Sequence, residues 1–95
     1  MTPQEYLKLA MKKKGMRNVD VLNEMNRRGM GLGANINRQH ITNILNGTRK
    51  LSPFMARKFE IVLGLKRFSV VEMVGFPRGG NSGELLESLD KFDKK

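Results

Sequence analysis

The polar side chains best suited to chemistry lie together in one short segment, Ile36 to Gly47. Its apolar residues recur at helical spacing and form a stripe that must face a core: Ile41, Ile44 and Leu45. The opposite face can donate hydrogen bonds throughout and includes no acid: Arg38, Gln39, Thr42, Asn43 and Asn46. Arginine can bond guanine, glutamine and asparagine can bond adenine, and a threonine methyl can touch that of thymine. The segment therefore favours a helix that contacts base edges.

The charge of the chain also indicates a polyanionic partner. The sequence has 18 Lys+Arg against 9 Asp+Glu, a formal net charge of +9. Residues 1–67 hold 14 basic and 4 acidic side chains, whereas residues 68–95 hold 4 basic and 5 acidic ones. A basic body with a near-neutral end suits duplex DNA, RNA or an anionic membrane, and charge alone does not choose among them.

The composition excludes several kinds of site. There is no cysteine, so disulfides, thiolate zinc sites and cysteine nucleophiles are absent. One histidine, His40, makes a histidine metal cluster or a Ser/His triad implausible, and no paired carboxylates stand out. We expect no enzyme activity, metal, cofactor or small-molecule ligand. No apolar run approaches the roughly 18 residues needed to span a bilayer, so we expect a cytoplasmic protein without membrane contact.

Start and stop signals predict an all-α chain. Thr2-Pro3-Gln4-Glu5 combines an N-cap, a proline at N1 and a capping-box glutamate, and Gly15 ends this first helix. Four further helices are expected over residues 18–28, 37–46, 53–63 and 68–74, although the valines of the last also suit a strand. The sequence thus predicts a small five-helix domain over residues 1–75.

Residues 76–95 are expected to form a linker and a short amphipathic segment. Over residues 84–92, the apolar side chains at helical spacing are Leu85, Leu86, Leu89 and Phe92. They could cover the domain, pair with a second subunit or lie disordered in solution. The acidic stretch 84–93 also leaves open a protein partner. In the glycine-rich connection after the second helix, Met30 and Leu32 are expected to turn back into the core.

Three stretches, Lys14–Leu22, Ile36–Ser52 and Met55–Leu65, resemble the helix-turn-helix domain of Cro and the phage repressors, the XRE type. The resemblance covers residues 5–65 and is most specific over 38–65. It implies that the second and third helices form the motif and that the third enters the DNA major groove. The turn between them, Arg27 to Asn35, is about nine residues longer than this family's tight helix-turn-helix connection.

The resemblance implies roles for single residues. It places base contacts at Arg38, Gln39, Thr42 and Asn43. It places backbone contacts at Asn18, Asn46, Thr48 and Arg49, and the surrounding sequence adds Asn37, Lys50, Arg27 and Arg28. We expect sequence-specific binding of double-stranded DNA by a homodimer that acts as a small repressor-like transcriptional regulator.

Three alternatives remain open at this stage. The same fold could serve a plasmid or phage as an accessory DNA-binding factor in transfer, partition or immunity. It could be an antitoxin-like module whose tail binds a toxin. An RNA-binding module is the third alternative, although single-stranded recognition usually displays aromatic side chains for stacking, and here none clusters with the basic face.

Overall fold

The computed structural model describes residues 1–30, 37–76 and 86–93, and every regular element in these ranges is helical. The described ranges contain five α-helices, followed by a C-terminal 3-10 helix at Ser88–Asp93. The α-helices are α1 (Pro3–Lys14), α2 (Asn18–Arg27), α3 (Arg38–Asn46), α4 (Pro53–Leu63) and α5 (Val71–Val74). The all-α prediction is confirmed. Within the same ranges no helix combines the length and apolar character that crossing a bilayer requires.

Three helices, α1, α3 and α4, begin where the capping signals predicted. At the start of α1, Thr2 Oγ1 accepts the Glu5 N–H at 3.1 Å and Glu5 Oε1 accepts the Thr2 N–H at 3.3 Å. The side chains of Asn37 and Ser52 accept the N–H three residues further on, at the starts of α3 and α4. These bonds satisfy backbone donors that have no partner inside a helix. They explain why local sequence was enough to place these three starts.

The central helix of the fold is α4, which packs against α1, α2, α5 and the 3-10 helix. Eight of its eleven residues are buried. In turn, α3 packs against α1 and α2 through the predicted stripe, with Ile41 and Ile44 fully buried and Leu45 4 % exposed. Each such side chain contributes about 1.5–3 kcal/mol by leaving water. The buried stripe therefore fixes which face of α3 is turned outward.

The fifth helix is shorter than predicted. It begins at Val71 instead of Phe68, and residues 67–70 form turns. Phe68 has a φ of 67°, a left-handed conformation that interrupts a helix. The N–H groups of Phe68, Val70 and Val71 donate to the Glu60 carboxylate at 2.7, 2.8 and 2.9 Å. The left-handed conformation of Phe68 therefore delays the start of α5, and Glu60 holds the turn before it by accepting these donors.

The C-terminal segment lies against the helical body. Leu86 is 2 % exposed, and Leu89 and Phe92 pack against the core. Of the roles left open by the sequence, covering the domain is the one that the structure supports. The segment is mainly 3-10 instead of α-helical. Leu85 and the predicted linker lie outside the described residues, as does Leu32, whereas Met30 is buried as predicted.

Candidate nucleic-acid interface

The outward face of α3 carries a pair of amides one helical turn apart. Gln39 Nε2 donates to Asn43 Oδ1 at 2.9 Å. Within the described ranges, Gln39 Oε1 and Asn43 Nδ2 make no other hydrogen bond, so the pair keeps one acceptor and one donor for an outside partner. Arg38, in the same first turn, is exposed. Three of the four predicted base-reading side chains thus have groups available for contact.

The fourth, Thr42, is bonded inside the protein to another predicted contact residue. Asn18 Nδ2 donates to Thr42 Oγ1 at 2.9 Å, and this hydroxyl donates to the Arg38 carbonyl at 3.0 Å. A base contact by Thr42 would therefore involve its methyl group. The bond joins the first residue of α2 to the middle of α3 and fixes how these helices meet. The sequence alone did not reveal it.

The turn after α3 is folded back onto the helix. The N–H groups of Thr48 and Arg49 donate to the Asn43 carbonyl at 3.0 and 3.2 Å, and Thr48 Oγ1 donates to the same oxygen at 3.1 Å. Gly47, with a φ of 83°, allows this reversal. The predicted contact residues here are all exposed: Asn46, Thr48, Arg49 and Lys50. The turn therefore holds a basic cluster at the end of α3.

The arginines fall into two groups. Five form salt bridges with carboxylates: Arg17, Arg27, Arg28, Arg57 and Arg67. Of the arginines that the structure describes, only Arg38 and Arg49 have no such partner. One begins α3 and the other follows it, and α3 itself contains no acidic residue. Both guanidinium groups are thus free to bind an anion next to the Gln39–Asn43 amide pair.

His40 adds no charge to this face at neutral pH. Partial burial, followed by the nearby Arg49 guanidinium, lowers the pKa of the His40 imidazole below its usual value of 6.5. Its backbone N–H donates to Asn37 Oδ1 at 3.0 Å, which leaves Asn37 acting as the N-cap of α3. On and beside α3, the charge available to a polyanion therefore comes from Arg38, Arg49 and Lys50.

Arg27 is the last residue of α2 and Arg28 is its C-cap, which agrees with the predicted end of this helix near residue 28, whereas the long turn begins after Arg27 instead of at it. Arg27 pairs with Glu24 and keeps a side chain that is 69 % exposed. Arg28 is 20 % exposed, and its guanidinium donates to Glu24 at 2.9 Å and to the Phe92 carbonyl at 3.0 Å. These pairs hold the pKa of Glu24 at about 2. Arg28 thus ties α2 to the C-terminal segment.

Sequence reasoning missed a buried ionic network that connects α4 with the turn before α5 and with the C-terminal segment. Arg57 and Glu60 are 1 % and 0 % exposed and pair at 3.2 Å. Asp90 of the 3-10 helix accepts from Arg57 at 2.8 Å and from Arg67 at 2.7 Å. The available signal was a pair of opposite charges three residues apart, Arg57 and Glu60, in a helix that is mostly apolar. This network anchors both α5 and the C-terminal segment.

No family model, curated protein or solved structure matches this chain. Across residues 1–30, 37–76 and 86–93, no group of three or more acidic or histidine side chains is arranged to hold a metal ion. A function for the chain therefore has to be inferred from its own residues and their geometry.

Proposed function

We propose that this protein binds double-stranded DNA in a sequence-specific manner and acts as a small repressor-like transcriptional regulator. In this proposal α3 lies in the major groove, as in the helix-turn-helix domains that the sequence resembles. The observation that carries it is the acid-free outward face of α3, with its available amide pair and an unpaired arginine at each end. A carboxylate on this face would repel DNA phosphates, and none is present.

The side chains divide into those that read bases and those that hold the backbone. Arg38, Gln39 and Asn43 meet base edges, because guanidinium and amide groups match the hydrogen-bonding pattern of the major groove. Arg49 and Lys50 meet phosphates, which position a protein without carrying sequence information. Asn18 acts through its bond to Thr42. We assign Arg28 a structural role, because its guanidinium is already bonded and mostly buried.

The packing of the helices supports a helix-turn-helix arrangement. α3 packs on both α1 and α2, and the Asn18–Thr42 bond holds α2 and α3 together where α2 begins. One α3 reads only a few base pairs, so we propose that a homodimer reads two half-sites related by two-fold symmetry. An accessory role for a plasmid or phage would use the same face. DNA binding would place the protein in the cytoplasm, at the nucleoid.

A toxin partner at residues 84–93 has less support. The apolar side chains of this segment that the structure describes turn inward: Leu86, Leu89 and Phe92. Its Asp90 carboxylate is already bonded to Arg57 and Arg67. A partner would have to displace the segment from the domain before binding its apolar face. DNA recognition through α3 needs no such rearrangement.

Two substitutions separate base reading from backbone binding. Gln39→Ala removes an amide from the reading face, so it should cost about 1–3 kcal/mol on the preferred duplex and relax preference at one position per half-site. Arg49→Ala should weaken binding to all duplexes alike and lower the salt slope by about one unit for each phosphate that is no longer neutralised. Fluorescence anisotropy with preferred and unrelated duplexes at several salt concentrations measures both effects.

Matched controls are available on other exposed surfaces. Asn23→Ala, on α2, is the control for loss of an amide, and Lys66→Ala, after α4, is the control for loss of a charge. Neither should change sequence preference. If Arg49→Ala altered the preferred sequence while Gln39→Ala left it intact, the assignment of the reading face would be wrong. If the wild-type protein bound no duplex even at low salt, the proposed function itself would be wrong.

A further inference from the structure

A groove adjoins the outward face of α3 on the side of α1. Its polar walls are formed by Lys8 and Lys12 of α1, Asn18 of α2 and Asn46 of α3. Three apolar side chains, among them Leu45, complete the lining. We refer to it as the α1–α3 groove. Two of its polar residues, Asn18 and Asn46, belong to the set predicted from the sequence, whereas Lys8 and Lys12 do not.

The groove is suited to an anion with several oxygens. Lys8 and Lys12 lie one helical turn apart, and neither forms a salt bridge with a carboxylate in the ranges that the structure describes. Glu5, one turn before Lys8, is bonded to the backbone and hydroxyl of Thr2 at 3.3 and 3.0 Å. The groove therefore offers two ammonium groups and two amides, and no carboxylate lines it.

The apolar part of the lining strengthens the attraction of the two lysines for an anion. Charges attract more strongly where side chains replace water, because the effective dielectric constant falls. Leu45 is 4 % exposed and closes the groove on the side of α3. Lysine provides a compact positive charge with three donors, which suits a phosphate oxygen. The matching ligand is therefore a phosphate group.

We propose that the α1–α3 groove binds one backbone phosphate of the duplex whose bases α3 reads, with Lys8 and Lys12 as the charged ligands. This inference rests on the proposed function. The phosphate belongs to the duplex in this proposal, because two groove residues are tied to the outward face of α3. Asn18 is bonded to Thr42 of that face, and Asn46 lies on α3 itself. A duplex against that face presents its backbone at the groove. The contact would fix how far α3 enters the major groove.

The run Lys12, Lys13 and Lys14 provides a control for this assignment. Of the three, only Lys12 lines the groove. The double variant Lys8→Gln/Lys12→Gln removes both groove charges, and Lys13→Gln/Lys66→Gln removes the same charge from exposed sites elsewhere. All four residues are exposed, so both variants should keep the stability of the wild type to within about 0.5 kcal/mol. Urea unfolding checks this first.

The binding experiment measures affinity for a duplex between 50 and 200 mM salt. Without the groove phosphate of each subunit, the salt slope of the groove variant should be lower by about one unit per subunit, or about two for the homodimer. Over this salt range the affinity of the homodimer should then fall about 12-fold less than that of the wild type, since each neutralised phosphate contributes a slope near 0.9. The reduction in affinity should be the same for preferred and unrelated duplexes. The charge-matched control should keep the wild-type slope.

Several outcomes overturn the inference. Equal slopes for the two double variants would mean that only overall charge matters. Side-chain amide shifts of Asn18 and Asn46 on adding inorganic phosphate at millimolar concentration, without DNA, would identify a free phosphate as the ligand. Equal competition by double-stranded RNA would assign the groove to another nucleic acid. Duplex binding that depends on Gln39 but not on the groove lysines would remove this inference and leave the proposed function standing.

Discussion

Replacement of Glu60 by glutamine is expected to destabilise the fold severely, although it changes only one atom. Glu60 is fully buried. Its Oε1 accepts from the Phe68 N–H at 2.7 Å and from Arg57 at 3.2 Å, and its Oε2 accepts from the N–H groups of Val70 and Val71 at 2.8 and 2.9 Å. A glutamine amide nitrogen cannot accept hydrogen bonds, so one pair of donors is left without a partner whichever way the amide points.

The magnitude follows from these broken hydrogen bonds. A buried donor without a partner costs about 1–3 kcal/mol, and breaking a buried ion pair costs about 3–5 kcal/mol. Glu60→Gln should therefore lower the free energy of unfolding by about 3–5 kcal/mol, a large share of the roughly 5–15 kcal/mol available to such a domain. For a chain of this size each kcal/mol shifts Tm by about 4–8 °C, so Tm should fall by about 12–40 °C.

The assay is urea and thermal unfolding followed by far-UV circular dichroism, since the chain has no tryptophan to report by fluorescence. Glu72→Gln makes the same chemical change at an exposed position of α5 and should stay within about 0.5 kcal/mol of the wild type. If Glu60→Gln were as stable as Glu72→Gln, the carboxylate would not be what holds the turn before α5.

Three further predictions concern the core, the charge pairs and the C-terminal segment. Ile44→Ala removes a fully buried side chain of α3 and should cost about 2–5 kcal/mol in urea unfolding, whereas unchanged stability would contradict the assigned helix phase. Two arginines lower the pKa of Glu24 from its ordinary 4.5 to about 2, so its carboxylate stabilises the fold above pH 4.5 and loses that effect as the pH falls toward 2. As the pH falls from 4.5 toward 2, the urea midpoint should therefore decrease less steeply in Glu24→Gln than in the wild type. Identical curves would show that the Glu24 carboxylate does not stabilise the fold. Asp90→Asn weakens the bonds to two arginines and should speed amide exchange over residues 86–93, whereas Glu87→Gln, which is exposed, should not. Equal exchange rates in these two variants would show that Asp90 does not anchor the segment.

The sequence was sufficient where structure depends on neighbouring residues. The start of α1 could be predicted because Thr2 and Glu5 satisfy each other's backbone within one turn. The outward face of α3 could be predicted because the spacing of Ile41, Ile44 and Leu45 leaves only one face for the core. Both features involve residues at most four positions apart.

The sequence was insufficient where distant residues meet. The Asn18–Thr42 bond spans 24 positions, and it gives a predicted phosphate-contact residue a further role in orienting two helices. Arg28 lies 64 positions from the carbonyl that it binds. The shortened α5 follows from the left-handed turn at Phe68, which Glu60 of the preceding helix holds by accepting the N–H groups of Phe68 and Val70. Such interactions depend on how the helices pack against one another, which the spacing of neighbouring residues does not determine.

Whether the outward face of α3 reads duplex DNA is tested most directly by selecting bound sequences from a random duplex pool at physiological salt, with the purified protein. We predict enrichment of one consensus with two-fold symmetry, whose affinity falls about 10³–10⁵-fold between 50 and 200 mM salt if the dimer neutralises about six to ten phosphates. Recovery of a pool with no enriched sequence would contradict sequence-specific reading by α3.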